Sequence, residues 1–312
     1  MVRKIRITSS WLLVLTAMVL AAVPAQAGNP GEAGVLSLRM GVGARETGMG
    51  DAGVASSSGA SAIFWNPANN VFEDFETTLV LQHHRYLGLF SQEAAALAHR
   101  VGDGVVGLLF MGFYSDEIQR SSGVPVGAYE GTFKPYDVAF GVSYSHPLGE
   151  RFAAGVNVKL VYERIDIYSD TGLASDFFIA HEAIIPGLRF AGAWTNVGGQ
   201  MNLYNDPFDL PTAWKFGASY TPDRGPLRDK LTVAGDIFLP EDTNAKAHVG
   251  AEYRLLDLIA LRLGSKINYD LYGLTAGFGI RMWEGGTLDY AYQDMTIDGF
   301  DQGHKFALNL LW

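Results

Sequence analysis

Residues 136–144 read Tyr-Asp-Val-Ala-Phe-Gly-Val-Ser-Tyr, and a large apolar side chain stands at every second position. The same alternation recurs in 156–162, 272–282 and 288–293. Because successive side chains of a β-strand point to opposite faces, each stretch has one large apolar face and one small or polar face. The pattern therefore predicts strands with two very different faces.

The composition of the second face indicates how these strands are turned. It is rich in Gly, Ala and Ser rather than in charged residues, and aromatic residues stand at the ends of the apolar rows. A soluble sandwich would have a solvated outer face, whereas a lipid-facing exterior with aromatic girdles and a close-packed interior fits this pattern. Overall, 48% of the residues are hydrophobic and only 18% are charged, which is unusual for a secreted soluble domain.

Beyond the N-terminal region, no apolar run approaches the roughly 18 residues that a membrane helix needs, so any crossing of a membrane would use strands. About 14 alternating segments are found, most of them near the roughly 9–11 residues of a tilted membrane strand. The predicted fold class is all-β, a transmembrane antiparallel β-barrel of about 14 strands with an N-terminal segment in its lumen. The predicted strands are 76–84, 92–101, 105–113, 135–145, 152–163, 174–184, 187–196, 213–221, 229–238, 246–254, 257–264, 272–281, 287–295 and 303–311.

The predicted connections alternate between longer and shorter along the chain. An even-stranded barrel with both ends in the periplasm has long outer loops and short inner turns, whereas a soluble sandwich has no reason for such alternation. The longest predicted loop, 114–134, is modest for an extracellular ligand-capture domain. The alternation predicts an outer-membrane barrel in a Gram-negative (diderm) bacterium, in contact with outer-membrane lipid.

Residues 1–27 have the order of a secretory signal peptide. Basic residues precede an apolar run from Trp11 to Val23, and Ala25-Gln26-Ala27 predicts cleavage before Gly28. The alternative, an N-terminal membrane anchor, is disfavoured because the run is short for spanning. Without this segment, 20 basic residues face 33 acidic ones, so the mature chain is a poor candidate for nucleic-acid binding.

The stretch from Gly41 to Ala68 is rich in Gly and Ala and ends in the bulky sequence Ile63-Phe64-Trp65, followed by Asn66-Pro67. Glycine lets the backbone pass close to other groups, and a free linker would not need the aromatic anchor. We interpret residues 28–75 as a plug packed inside the barrel formed by 76–312.

No motif in the chain supports catalysis, a cofactor or a metal. Gly48-Met-Gly-Asp-Ala-Gly53 matches G-x-G-x-x-G, but no βαβ unit surrounds it, so the match is interpreted as accidental. No Ser-His-Asp arrangement has a supporting context such as G-x-S-x-G. Oxygen ligands of Asn205, Asp206 and Asp209 fit calcium, and a solvated polar loop explains these residues equally well. We expect no enzyme activity, no cofactor and no metal.

Two groups of polar or aromatic residues are expected to have roles in a barrel. Charged residues on the small or polar face of the strands would point into the lumen. One interpretation is that a barrel interior simply tolerates them; the other is that together they hold the plug through Arg45 or Glu46. The alternating end of the last strand is a candidate signal for the barrel-assembly machinery, and an ordinary terminal strand is the alternative. The lumen charges are Asp137, Lys159, Glu163, Arg262, Arg281 and Asp289, and the candidate signal is Phe306, Leu308, Leu310 and Trp312.

The N-terminal stretch resembles the signature of the PorV/PorQ family of outer-membrane proteins, which are related to FadL-type barrels. The residues that carry this resemblance include Gly43, Arg45, Gly48, Gly50, Trp65, Asn66 and Pro67. Later stretches are also similar, such as Gly250-Ala-Glu-Tyr-Arg254 and Asp289-Tyr-Ala291. The resemblance implies a 14-stranded barrel whose N-terminal segment folds into the lumen.

The predicted function is that of a PorV/PorQ-type barrel serving secretion or transport, and two alternatives stay open. PorV/PorQ-type membership implies a role in type IX secretion or surface attachment, with secretion subunits or secreted proteins as partners, or in transport. A FadL-like relative would instead pass hydrophobic small molecules, and a lateral wall opening, an apolar lumen pocket or a strand kink at Gly141 or Gly277 would favour that function. A structural or adhesin-like barrel would have a plug that never moves.

Overall fold

The computed structural model describes residues 31, 33–120, 131–295 and 301–312. Fourteen antiparallel strands form a closed barrel in which each strand pairs with its neighbours in the chain and the first pairs with the last, which confirms the predicted fold class. Numbered β1 to β14, the strands are Thr77–Tyr86, Phe90–Val101, Gly104–Ser115, Tyr136–Pro147, Phe152–Ile165, Tyr168–Glu182, Leu188–Gly198, Ala213–Tyr220, Leu231–Pro240, Lys246–Leu255, Ile259–Ile267, Tyr272–Trp283, Gly286–Met295 and Gly303–Leu311.

The barrel wall has its large apolar side chains outside. In β4, Phe140 and Val142 are each 56% exposed, whereas the alternate residues Ala139 and Ser143 are buried toward the lumen. Burying that much apolar surface requires a lipid surrounding, because a soluble barrel would leave it in water. The exterior and the closed topology define a transmembrane barrel of the outer-membrane type.

We name the end at which β1 begins and β14 ends the inner end, and the opposite end the outer end. The predicted alternation of connection lengths is wrong at the hairpin of β5 and β6. A loop was predicted over 164–173, but the ladder continues through the pair Ile165↔Tyr168 and turns at Asp166, whose φ is 55°. The polar residues of this region keep strand pairing beyond the apolar band, so the loss of an apolar face did not mark the strand end.

Two outer connections contain small ribbons of their own. Met201–Leu203 pairs with Asp206–Phe208 in the β7–β8 connection, and Ile118–Gln119 pairs with Thr132–Phe133 in the β3–β4 connection. The first ribbon folds toward the lumen, since Met201 is fully buried.

The residues before β1 form short helical pieces. Helices α1, Ala44–Gly48, and α2, Ala62–Trp65, are accompanied by 3-10 turns at Leu36–Arg39, Gly59–Ser61 and Pro67–Phe72. No helix in the described part of the chain is long and apolar enough to cross a membrane. The predicted signal peptide, 1–27, lies outside the described residues.

Candidate functional site

Residues 33–75, here named the N-terminal segment, contact the inward-facing residues of the wall. The sequence Gly48-Met49-Gly50 lies on wall glycines of β10, β11 and β12. A Cβ atom at Gly277 would lie 3.2 Å from Cα of Gly48, and one at Gly50 would lie 2.6 Å from the backbone nitrogen of Ser265. Glycine on both surfaces is therefore needed for this backbone-to-backbone approach.

A network of buried charges joins the N-terminal segment to the wall. Glu252 accepts hydrogen bonds from Nε of Arg45 at 2.9 Å and from Nε of Arg262 at 2.7 Å. Nη1 of Arg262 also lies 2.6 Å from Asp289, which accepts a hydrogen bond from Asn309 at 2.7 Å. Charges at this depth are costly unless paired, so each carboxylate and guanidinium depends on the others.

Further polar contacts fasten the segment nearer the outer end. Lys305 donates to the carbonyl of Gly41 at 2.5 Å and to Oγ1 of Thr47 at 2.8 Å, and Lys266 pairs with Asp51. Burial favours protonation of Asp51, but the charges of Lys266 and Lys305 outweigh it and hold the pKa of Asp51 below its ordinary value.

The pKa of Glu46 in α1 is shifted in the opposite direction to that of Asp51. Its side chain is buried, its Oε1 lies 3.5 Å from Arg45, and its Oε2 has no hydrogen-bond partner in the described part of the chain. Burial raises the pKa of Glu46 above its ordinary value. The ionised Glu46 carboxylate therefore destabilises the packed N-terminal segment, unlike the neighbouring paired charges.

The structure places the signature residues at turns and contacts of the N-terminal segment. Gly43 has a φ of 100° just before α1. Nε1 of Trp65 donates to the carbonyl of Val42 at 2.6 Å. Nδ2 of Asn66 donates to the carbonyl of Ile179 at 2.9 Å, and Pro67 begins the following 3-10 turn.

The predicted lumen charges divide into two groups. Arg262 and Asp289 join the network with Arg45, and Lys159 pairs with Asp176 at 2.8 Å. The other three form no ion pair with the N-terminal segment within the described residues: Asp137 is buried, Glu163 is half-buried and Arg281 is exposed near the inner end.

At the end of the chain, Phe306 is 47% exposed and Trp312 is 60% exposed. Leu308 and Leu310 are half-buried and alternate with the inward-facing residues of β14. The geometry thus matches the expected outward row, and recognition by assembly machinery stays a prediction.

No group of three or more His, Asp or Glu side chains suited to a metal is found among the described residues. A strand kink at Gly141 or Gly277, which would favour a channel for hydrophobic small molecules, is not found. Gly141 stays in register with Leu109 on one side and Lys159 on the other, and Gly277 serves the contact with Gly48.

Sequence reasoning missed several residues that hold the segment, namely Arg39, Asp51, Glu252, Lys266 and Lys305. Strand parity could have found Lys305, because it alternates with Phe306 and faces the same side as Ala307. Its partners could not be found in this way, since they lie more than 250 positions away in the chain.

A small cavity lies inside the barrel, between the N-terminal segment and the wall. Its volume is about 40 Å³, and its apolar lining comes from Leu38, Val42 and Phe64 of the segment and from Leu109 and Met111 of β3. One such cavity has room for only a few water molecules.

The opposite side of this cavity is polar. It contains the Lys159–Asp176 pair and Lys215, whose Nζ lies 5.5 Å from the ring centroid of Trp65 and 5.3 Å from that of Phe238. These distances are within the range of cation–π interactions, which stabilise the ammonium group.

An apolar groove of about 580 Å³ lies on the outer surface of the wall, over β1 to β6. Its lining includes Leu97, Phe110 and Phe140, and its floor includes Ala96, Leu109 and Gly141. Leu109 borders the inner cavity as well. The cavity and the groove therefore face each other across one strand, where the neighbouring wall residues are small.

A third space, of about 540 Å³, opens at the inner end between the segment and β10 to β14. Arg45, Glu252, Arg262 and Asp289 line it. The buried charge network thus lies at the boundary between the N-terminal segment and the inner mouth.

Neither a protein-family model nor a curated protein sequence matches the chain. Among solved structures, the toluene transporter TbuX of Ralstonia pickettii has a TM-score of 0.63 at 15% identity, covering 87% of this chain and 98% of TbuX. The monoaromatic hydrocarbon channel CymD has a TM-score of 0.63 at 12% identity, and the match covers 87% of this chain and 98% of CymD. A mutant of the monoaromatic hydrocarbon channel TodX has a TM-score of 0.59 at 11% identity, and the match covers 87% of this chain and 97% of TodX. At these identities the likeness shows the fold alone: the chain shares the barrel fold of these three proteins.

Proposed function

We propose that this protein is a passive outer-membrane channel for hydrophobic small molecules. The observation that carries the proposal is the position of Leu109, which borders both the apolar part of the inner cavity and the apolar groove that faces lipid. A solute in the cavity would leave sideways into the bilayer. The proposal involves no catalytic step, cofactor or metal.

The charge network opposes a straight passage to the inner end. A hydrophobic solute moving straight through would have to part Arg45 from Glu252, or Arg262 from Asp289, and separating a buried pair costs about 3–5 kcal/mol. The lateral route requires displacement of the apolar side chains around Leu109 and local parting of the ladder between β3 and β4, which is continuous in the described state. The solute then enters lipid, where its apolar surface stays out of water.

The described state is closed to such a solute. A cavity of about 150 Å³ is needed to hold benzene, whereas the inner cavity measures about 40 Å³. Transport therefore requires movement of the residues that line the cavity.

Uptake of radiolabelled toluene by diderm cells that carry the protein in their outer membrane tests the proposal, because a plain phospholipid vesicle admits toluene without any protein. Leu109→Trp fills the space between cavity and groove and is expected to reduce uptake toward the rate of cells that lack the protein. Leu263→Trp is the matched control, because Leu263 of β11 is 69% exposed on the lipid side and does not line the groove. Equal uptake by the two variants and the wild type would contradict the lateral route.

A second candidate is a PorV/PorQ-type role in protein secretion or surface attachment. A structural or adhesin-like barrel is considered beside it, because both functions require protein partners and no passage of solute. The resemblance of the N-terminal signature and the many polar contacts that fasten the N-terminal segment favour these functions. Purification in mild detergent with mass spectrometry of bound material separates them. Co-purifying secreted proteins or secretion subunits would support this candidate, whereas bound hydrophobic compounds would support the channel.

A further inference from the structure

The first described part of the N-terminal segment lies at the outer end of the barrel. Ala33 bridges to Asp209, and the backbone nitrogen of Gly34 donates to the carbonyl of Asp209 at 3.0 Å. Asp209 belongs to the connection 199–212, between β7 and β8, which lies opposite the start of β1. Residues 33–40, here named the strap, therefore cross the outer mouth.

Arg39 joins the strap to two outer connections. Its Nε donates to the carbonyl of Pro211 at 3.2 Å and its Nη2 to the carbonyl of Thr212 at 3.3 Å. Its Nη1 lies 2.6 Å from Oδ1 of Asp242, in the β9–β10 connection, and both side chains are about one-tenth exposed. One side chain thus links the strap, the connection 199–212 and the connection 241–245.

Apolar contacts seal the same junction. Val35 of the strap forms a buried cluster with Met201 and Leu210 of the connection 199–212 and with Ala139, Val161 and Ala174 of the wall, and Leu38 and Phe208 pack against it. Parting of the strap would therefore expose this apolar cluster.

The strap is also a wall of the inner cavity, because Leu38, Arg39 and Met40 line it. We propose that the strap is the outer gate of the channel and that Arg39 is its fastener. Entry of a solute requires the strap to part from the connection 199–212. This movement would open a path from the outer mouth to the cavity. This inference rests on the proposed function, since it names the entrance to the same cavity.

The strap and residues 41–75 are held by different polar contacts. Residues 41–75 have their own attachments, such as the Gly48–Gly277 contact and the Arg45–Glu252 pair. Ala33, Gly34 and Arg39, by contrast, form the contacts described above with the outer connections.

A reversible cross-link tests the gate, and the chain has no cysteine of its own. Ala33→Cys with Asp209→Cys joins the strap to the connection, at a bridge whose partners are adjacent. Asn202→Cys with Pro207→Cys is the matched control, because it cross-links the ribbon within the same connection. We expect oxidation to abolish protein-dependent toluene uptake in the first variant only, with recovery on reduction. Unchanged uptake in the oxidised first variant would overturn the gate.

A second measurement does not depend on transport. A cysteine introduced by Met40→Cys is labelled from outside with a membrane-impermeant maleimide, with and without Arg39→Gln. Loss of the Arg39 contacts is expected to raise the labelling rate about tenfold, and an unchanged rate would overturn the role of Arg39. If the wild type fails to take up toluene but labelling responds as expected, the proposed function fails while the fastened strap stands.

Discussion

Removal of the Glu252 carboxylate is expected to loosen the N-terminal segment far more than the barrel. Glu252 is 1% exposed and pairs with Arg45, Arg254 and Arg262. Glu252→Gln keeps the shape of the side chain but leaves Arg45 without its main partner. Arg262 keeps Asp289, so the expected cost is the lower end of that for a broken buried pair, about 3 kcal/mol.

Since each 1.4 kcal/mol corresponds to a tenfold change in an equilibrium constant, this cost predicts about a hundredfold greater population of the opened segment. Amide hydrogen exchange in nanodiscs measures this population directly. Protection of residues 44–52 should fall by that factor, whereas the amides of β4, which does not contribute to the network, should keep theirs.

Glu182→Gln is the matched control. Glu182 pairs with Arg189 at 3.1 Å, but its side chain is 45% exposed, and exposed pairs contribute at most about 1 kcal/mol. Its effect on exchange of residues 44–52 should be less than about fivefold. If Glu252→Gln and Glu182→Gln change this protection equally, the buried network does not hold the segment.

Two further predictions concern the same segment. Glu46→Gln should increase protection of α1 at pH 7, because burial raises the pKa of Glu46: its stabilising contribution is present below the unfolded pKa of about 4.3 and is lost as pH rises through the folded pKa. Exchange rates in the wild type and the variant at pH 4 and pH 7 check this, and a variant that is less protected at pH 7 would contradict it. Gly277→Ala should increase exchange at 48–50, because its Cβ would lie 3.2 Å from Cα of Gly48 and 2.7 Å from the carbonyl oxygen of Tyr290, with an overpacking cost of about 1–3 kcal/mol. Gly273→Ala, whose Cβ would meet only Oδ2 of Asp294 at 3.9 Å, should leave the exchange unchanged, and equal effects of the two variants would argue against the glycine contact.

The sequence predicted the barrel because a lipid-facing wall produces a strong local signal. Large apolar residues such as Phe140 and Val142 alternate with small ones, and this period of two requires no knowledge of the strand neighbours. The signal fails where a strand leaves the apolar band, as at the pairs Glu163↔Asp170 and Arg164↔Ser169, since pairing continues there through polar residues.

The contacts of the lumen were predictable only in part. The alternation of side chains along a strand places Arg262 and Asp289 on the inner face of the barrel. Their partners, however, depend on the register of the strands and on the path of the N-terminal segment. The Arg45–Glu252 pair joins residues 207 positions apart, and no local pattern specifies it. The cavity at Leu109 likewise depends on side chains that only the closed barrel brings together.

The most direct test of the channel is to locate a hydrophobic solute within the protein. A photoreactive aromatic hydrocarbon, activated in nanodiscs and mapped by mass spectrometry of the labelled peptides, reports where the solute resides. If the solute passes through the lumen, labelling should concentrate at the cavity residues 38–42 and at Leu109 in the wild type and should be lost at 38–42 when the strap is cross-linked. Labelling spread evenly over the lipid-facing wall, with none at 38–42, would contradict passage through the lumen.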